Sequence, residues 1–295
     1  MRVPTPSGRA FSFSKLRDVK YGMGKARHIV YDGNMQIAVR DAIIHLAFSG
    51  APIASAKQVV IFLHGWGRTM DDFDGLAKLL SEQMPNTAFI RLDLPGFGGS
   101  PLNQKSGLSL DDYCAVISDL MDKMETPRAA LIGHSLGGRI AIKFAALHPD
   151  RTEKLVLISA AGIPPQSFRI KLLAAGRTAF QTLFHSVRDY RYILRLKNLL
   201  GAVFGSHDYQ VTHGALRETL KKALAEDLRP DAANIKIPTL LIWGAHDPIT
   251  PLSDGEQYHT LISGSQLKVI DGGHFVFLER GKECGNAIAS FLQNG

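Results

Sequence analysis

Apolar strand-like segments alternate with helix-like segments between about residues 59 and 162. The strand-like segments are apolar runs such as QVVIFL (58–63) and ALIGH (130–134). The segments between them place apolar residues at helical spacing, as SLDDYCAVISDLMDKME (109–125) does. This alternation predicts an α/β fold whose mostly parallel central sheet carries helices on both faces.

The alternation stops after residue 163 and returns at about residue 235. The residues between hold no comparable apolar strand and are typical of amphipathic helices interrupted by glycines. An all-helical block inside an α/β pattern predicts a cap inserted over the ligand edge of the sheet. The predicted parts are an N-terminal extension of unknown role (1–27), a core (28–163 and 235–295) and a helical cap (164–234).

Composition and charge exclude several classes of protein. The 295 residues are 45% apolar and 21% charged, as in ordinary globular proteins. The net charge of +7 is diffuse and no nucleic-acid-binding motif accompanies it, so we expect no nucleic-acid partner. No apolar run approaches the length of a membrane span, so we expect no transmembrane segment.

The cysteines and the first residues favour a cytoplasmic location. Cys114 and Cys284 are the two cysteines, and they suggest neither a disulfide framework nor a metal site. The N-terminus is basic but lacks the continuous apolar core of a secretory signal. A reducing compartment is the simplest interpretation of both observations.

Ser135 lies between glycines in the stretch GHSLGG (133–138), directly after a predicted strand and before a predicted helix. This is the G-x-S-x-G pattern in the context of a nucleophile elbow. The glycines leave room for a strained turn that lifts the serine hydroxyl above the sheet. We therefore predict Ser135 as a catalytic nucleophile. The alternative is a glycine-rich turn that merely contains a serine.

A nucleophilic serine requires a base, and the base requires an orienting group. Asp247 comes directly after TLLIWGAH (239–246), and His274 comes directly after LKVIDGG (267–273). Both positions follow late strands, whose carboxyl ends hold the site in an open α/β sheet. We therefore predict Asp247 as the acid and His274 as the base.

Other residues compete for these two roles. Asp254 and Asp271 are less favoured acids, and His246 is expected to point away when Asp247 points in. Asp247 is also consistent with a turn-forming residue, because Asp-Pro is a common turn pair. The joint presence of serine, acid and base favours the catalytic interpretation.

Acyl transfer also requires hydrogen-bond donors for the oxyanion. The backbone N–H of Leu136 follows the nucleophile and is the first predicted donor. The second is the backbone N–H of Trp66, in the stretch LHGWGRT (63–69) that follows an earlier strand. The Trp66 side chain is also expected to line the pocket.

Five stretches together resemble the motifs of the α/β-hydrolase fold superfamily, in its serine-nucleophile branch. They are LHGWG, LDLPGFGGS, GHSLGG, LLIWGAHDPITP and DGGHFVFLER. The resemblance covers about residues 28–292 and implies the α/β-hydrolase fold with an inserted helical cap. It also implies the roles given above for Ser135, Asp247 and His274, with no metal or organic cofactor. Asp93, in LDLPGFGGS, matches a position that is usually structural in this family.

The resemblance predicts a serine hydrolase that cleaves carboxylic esters of small molecules. Perhydrolases and carbon–carbon bond hydrolases of the same fold are alternatives. The latter typically have a proline in the oxyanion loop and an asparagine before the serine, where this chain has HGWG and His134. A third alternative is a low-turnover small-molecule receptor that retains the triad. Rapid multiple turnover of simple esters separates this receptor from an enzyme.

The predicted cap is rich in basic and aromatic residues. Between 164 and 202 its basic residues are Arg169, Lys171, Arg177, Arg188, Arg191, Arg195 and Lys197, and its aromatic residues include Phe168, Phe180, Phe184, Tyr190 and Tyr192. We favour an amphipathic arrangement, in which the basic residues form a solvated face and the apolar residues pack as a stripe on the opposite side. Contact with an anionic membrane surface or an acidic acyl carrier is the alternative. An apolar underside of the cap would suit an apolar acyl group.

Overall fold

The computed structural model describes residues 29–31, 34–102, 106–164 and 214–294. The predicted N-terminal extension lies outside the described residues. Most of the predicted cap, with its basic and aromatic residues, lies outside them as well. Among the described residues, no helix has both the length and the apolarity needed to cross a bilayer.

Nine strands of the described chain form one sheet. In chain order they are β1 (Ile29–Tyr31), β2 (Asn34–Val39), β3 (Ala42–Gly50), β4 (Gln58–Leu63), β5 (Thr87–Leu92), β6 (Ala129–His134), β7 (Thr152–Ile158), β8 (Thr239–Gly244) and β9 (Gln266–Ile270). Their spatial order is β1-β2-β3-β5-β4-β6-β7-β8-β9. Three neighbouring pairs are antiparallel: β1 with β2, β2 with β3, and β3 with β5. The other five pairs, from β5–β4 across to β8–β9, are parallel. The prediction of a mostly parallel sheet is confirmed.

Eight α-helices are described. They are α1 (Asp74–Gln83), α2 (Leu110–Lys123), α3 (Leu136–Leu147), α4 (Ala215–Ala225), α5 (Arg229–Asn234), α6 (Leu252–Leu261), α7 (Val276–Glu279) and α8 (Gly281–Gln293). The 3-10 turns Ile53–Ser55 and Met70–Phe73 precede β4 and α1. Ser109 and Asp112 form a reciprocal capping box at the start of α2.

The core lies on both faces of the sheet. Along β4, Val60 and Phe62 belong to one buried cluster with residues of α1 and α8. Ile61 and Leu63 belong to the opposite cluster, with residues of α2 and α3. Because side chains alternate across a strand, an unbroken apolar run can feed both clusters. Helices on both faces of the sheet are therefore as predicted.

Strand β3 was not predicted from the sequence. Its residues, AIIHLAFSG, include polar His45 and Ser49 and alternate irregularly between buried and exposed positions. It pairs with β2 on one side and β5 on the other, and so joins β1 and β2 to the parallel part of the sheet. Tertiary pairing, rather than local pattern, defines this strand.

The chain from residue 214 onwards returns to the core through α4 and α5. The backbone N–H of Leu228 donates to the carbonyl of Gly162 at 3.0 Å. Arg139 of α3 donates to the carbonyl of Glu226 at 2.5 Å, and Lys143 of the same helix pairs with the Glu226 carboxylate at 2.8 Å. Helix α3 therefore anchors the segment that follows α4.

Candidate active site

Ser135 occupies a strained turn between β6 and α3. Its backbone angles are φ 51° and ψ −108°, in a region that residues other than glycine rarely adopt. A Cβ on Gly137 would collide with the Leu63 carbonyl, so only glycine fits the start of α3 at this approach to β4. The sequence pattern and the observed strain are both those expected of a nucleophile elbow.

Two unused backbone donors lie beside this turn. Within the described part of the chain, the N–H groups of Leu136 and Trp66 make no hydrogen bond to a backbone or side-chain acceptor. The N–H of Gly137 donates to the carbonyl of His64 at 3.0 Å and so ties the elbow to the loop that carries Trp66. Both free N–H groups are thus available to an oxyanion.

His64 and Asp93 make buried hydrogen bonds to the loop that carries Trp66. His64 donates from Nδ1 to the Gly65 carbonyl at 2.7 Å and accepts at Nε2 from the N–H of Leu94 at 2.9 Å. The Asp93 carboxylate accepts from the N–H of Met70 at 2.8 Å. Burial lowers the pKa of His64, so it stays neutral in this bonding pattern. Buried hydrogen bonds therefore help to fix the geometry of this loop.

Asp247 and His274 meet at the carboxyl ends of β8 and β9. His274 Nδ1 donates to Asp247 Oδ2 at 2.8 Å, and both residues are 6% exposed. The other carboxylate oxygen accepts from the N–H groups of Ile249 and Thr250. Burial opposes ionisation of Asp247, but the hydrogen bond and charge of His274 and the two backbone donors outweigh it and lower its pKa.

The Ser135 hydroxyl makes no direct hydrogen bond to His274. Among the described residues, the Ser135 hydroxyl has no hydrogen-bond partner. Such bonds are often long before substrate binds. The two positions are instead joined through His134, whose Nε2 donates to the His274 carbonyl at 2.9 Å.

His134 is fully buried against aromatic rings and the second histidine. Its ring centroid is 4.8 Å from that of His274 and 4.9 Å from that of Phe277. Burial, followed by the charge of His274, lowers the pKa of His134 to about 3. His134 is therefore neutral when its neighbour carries a proton. Its position directly before Ser135 favours a role in supporting the elbow, but its hydrogen bond to the backbone of His274 was not predicted from the sequence.

The competing acids and base lie elsewhere. His246 Nε2 is 3.3 Å from Asp271 Oδ1, and both side chains are about three-quarters exposed, at 76% and 75%. Asp254 lies in the first turn of α6, where burial and the charge of Asp247 raise its pKa to about 6. Neither Asp254 nor Asp271 makes a hydrogen bond to His274 within the described chain.

Trp66 packs its indole edge-on against Phe97, with the ring centroids 5.0 Å apart. Phe97 belongs to the stretch LDLPGFGGS, and it also contacts the ring of His64. The half-buried indole thus lies between the loop after β4 and the loop after β5.

Most of this chain is similar to bacterial hydrolases in sequence and in structure. A pimeloyl-[acyl-carrier protein] methyl ester esterase of Neisseria meningitidis serogroup C is 29% identical over 253 residues, which cover 81% of this chain and 94% of the relative. Among solved structures, a hydrolase from Pseudomonas aeruginosa is 26% identical, with a TM-score of 0.67 over 89% of this chain and 99% of that chain.

The same fold occurs in an enol-lactonase from Burkholderia xenovorans. It is 24% identical, with a TM-score of 0.66 over 88% of this chain and 100% of that chain. The model of the alpha/beta hydrolase family matches residues 60–287, which span the elbow and both late-strand residues. The predicted family and fold are confirmed: this chain belongs to the alpha/beta hydrolase family.

Proposed function

We propose that this protein is a serine esterase in which Ser135, His274 and Asp247 act as nucleophile, base and acid. The observation that carries the proposal is the buried 2.8 Å hydrogen bond from His274 to Asp247. It lies at the same sheet edge as the strained turn of Ser135. Strain of this kind persists where the surrounding structure maintains it for function.

In the proposed reaction, His274 Nε2 takes the Ser135 proton while Ser135 Oγ attacks the ester carbonyl. Asp247 holds the Nδ1-protonated tautomer and stabilises the imidazolium. Collapse of the tetrahedral intermediate releases the alcohol, which takes its proton from His274. Water activated by His274 then attacks the acyl-enzyme and releases the carboxylic acid.

The oxyanion of each tetrahedral intermediate is proposed to bind the N–H groups of Leu136 and Trp66. Both donors are unused in the described chain, and Leu136 is the first residue of a helix, where the dipole also favours negative charge. Loss of one such donor costs about 3 kcal/mol of transition-state stabilisation in comparable sites.

The substrate is proposed to be an ester with an apolar acyl group, bound under a cap of residues 164–234. The aromatic residues of the cap sequence support this proposal. The Neisseria relative is named for a methyl ester on an acyl-carrier protein. The basic stretch between 164 and 202 would suit an acidic carrier, so carrier-bound and free esters should both be tested. A cytoplasmic location stays a prediction.

The test is hydrolysis of p-nitrophenyl esters from acetate to laurate by the wild-type protein and by Ser135→Ala. We expect multiple turnovers with an optimum of chain length, and loss of turnover in the variant. Labelling of Ser135 by a fluorophosphonate without ester turnover would instead support the carbon–carbon hydrolase or the receptor. Absence of both labelling and turnover would overturn the nucleophile.

A further inference from the structure

Thr250 lies next to the Asp247–His274 pair, and no sequence motif assigns it a role. The residue is 4% exposed. Its hydroxyl oxygen is 2.8 Å from Asp247 Oδ2 and 3.2 Å from His274 Nδ1. A third neighbour, the carbonyl of Ser159, is also 3.2 Å away.

The hydroxyl has one proton to donate and lone pairs that can accept. Asp247 Oδ2 and the Ser159 carbonyl can both only accept, but the carboxylate oxygen is charged and closer, at 2.8 Å against 3.2 Å, so the proton points at Asp247. The oxygen of Thr250 then presents a lone pair to His274 Nδ1. The Nδ1–H therefore has two acceptors, Asp247 at 2.8 Å and Thr250 at 3.2 Å. This arrangement leaves Nε2 unprotonated.

The main chain of Thr250 is itself held in place. Its N–H donates to Asp247 Oδ1 at 2.9 Å. Its carbonyl accepts from the indole nitrogen of Trp243 at 2.8 Å, and Trp243 is fully buried. A hydroxyl on a β-branched side chain with a fixed backbone has few alternative positions. Thr250 can therefore restrain the carboxylate without itself moving.

We propose that Thr250 is a positioning residue that fixes the Asp247 carboxylate and the Nδ1-protonated tautomer of His274. The inference rests on the proposed function, because the restraint matters for a base that acts through Nε2. Thr250 touches no reacting atom and acts through Asp247 and His274.

The experiment compares Thr250→Val with Thr250→Ser. Valine keeps the volume and removes the hydroxyl, whereas serine keeps the hydroxyl and removes a methyl group. We expect Thr250→Val to lower kcat for a p-nitrophenyl ester by roughly 10-fold to 100-fold, with KM within about 2-fold. Thr250→Ser should recover most of that loss. If Thr250 only fills space, valine matches the wild-type protein and serine is the impaired variant, which overturns the proposal.

Thr239→Val is the matched control. Thr239 is also buried, its hydroxyl donates to the Ile237 carbonyl at 3.0 Å, and it starts the strand whose other end leads to the site. Loss of its hydroxyl should leave kcat unchanged. An equal fall in Thr239→Val and Thr250→Val would mean a general loss of packing and would overturn the proposal.

A spectroscopic measurement separates this inference from the esterase proposal. The Nδ1–H of a buried, hydrogen-bonded histidine gives a downfield proton resonance. We expect that resonance in the wild-type protein and in Thr250→Ser, and its broadening or loss in Thr250→Val. This readout needs no turnover, so a protein without esterase activity would overturn the proposed function and still test Thr250. An unchanged resonance in Thr250→Val would overturn the positioning role.

Discussion

His134 donates a hydrogen bond from Nε2 to the main-chain carbonyl of His274 at 2.9 Å. The residue directly before the proposed nucleophile therefore holds the backbone of the proposed base. The Nδ1 atom of His134 is buried and has no partner among the described residues. A protonated His134 would leave this second N–H unpaired and would place a charge beside His274, so the site favours the neutral form.

Because His134 is neutral in the folded protein, the free energy of unfolding should depend on pH. Its pKa is about 3 in the folded protein against 6.5 for an ordinary histidine, because burial disfavours the charged form. The unfolded chain therefore binds a proton that the folded chain does not, and stability is lost as the pH falls below 6.5. Between about pH 7.5 and about pH 4.5 the loss from this residue should be about 2–3 kcal/mol.

Urea unfolding at these two pH values measures that loss. His134→Gln keeps an N–H donor but does not titrate, so its stability should fall by about 2–3 kcal/mol less than that of the wild-type protein. His246→Gln, at an exposed histidine, is the matched control and should fall as the wild-type protein does. Equal losses in His134→Gln and the wild-type protein would contradict the prediction.

The choice of acid can be tested with two carboxylates. Asp247→Asn should lower kcat by roughly 10³-fold to 10⁴-fold with little change in KM, because the amide stabilises the wrong tautomer of His274. Asp254→Asn is the control, since Asp254 is influenced by the charge of Asp247 but makes no hydrogen bond to His274 in the described chain. Steady-state kinetics on one ester decide between them. A severe loss only in Asp254→Asn would transfer the role of acid to Asp254.

Gly137, in the first turn of the helix after the elbow, should tolerate no side chain. A Cβ on Gly137 would collide with the main-chain carbonyl of Leu63, which cannot move without distorting the sheet. Gly137→Ala should lower the free energy of unfolding by about 3 kcal/mol or more, or prevent folding. In Gly75→Ala the new methyl group meets no atom within 4 Å, and the helical position should gain about 0.5 kcal/mol. Thermal denaturation of both variants tests this contrast, and equal melting temperatures would refute it.

Lys154 fixes the end of the last helix. Its buried ammonium group donates to the carbonyls of Phe291, Leu292 and Asn294 at 3.0, 2.9 and 2.9 Å. Lys154→Met should destabilise the protein by about 2–3 kcal/mol, because the charged group that donates to several helix-terminal carbonyls is lost.

Urea unfolding and amide exchange at the end of α8 measure this effect. Lys268→Met is the control, because that lysine is half-exposed and its carboxylate partner is 3.5 Å away. Exposed pairs of this kind contribute little to stability. An unchanged free energy of unfolding in Lys154→Met, or an equal loss in Lys268→Met, would contradict the prediction.

Local signals in the sequence were sufficient for much of the fold. Apolar runs such as QVVIFL fill both faces of a sheet, and the glycines around Ser135 permit a turn that other residues would block. The Ser109 capping box was equally predictable, because its partners are three residues apart. These features depend on the near neighbours of each residue, which the sequence displays directly.

Contacts between distant segments were decided by the tertiary structure. Strand β3 exists because it pairs with β2 and β5, and its own residues mix polar and apolar types. Asp247 and His274 could be proposed from strand ends, but their 2.8 Å hydrogen bond arises only when β8 and β9 pair in parallel. The role of Thr250 was not visible in the sequence, and the position of His134 before Ser135 did not show that it would bond to the backbone of His274. Each depends on a partner 24 or 140 residues away, and the free energy that holds such pairs comes from burial and hydrogen bonding in the folded chain.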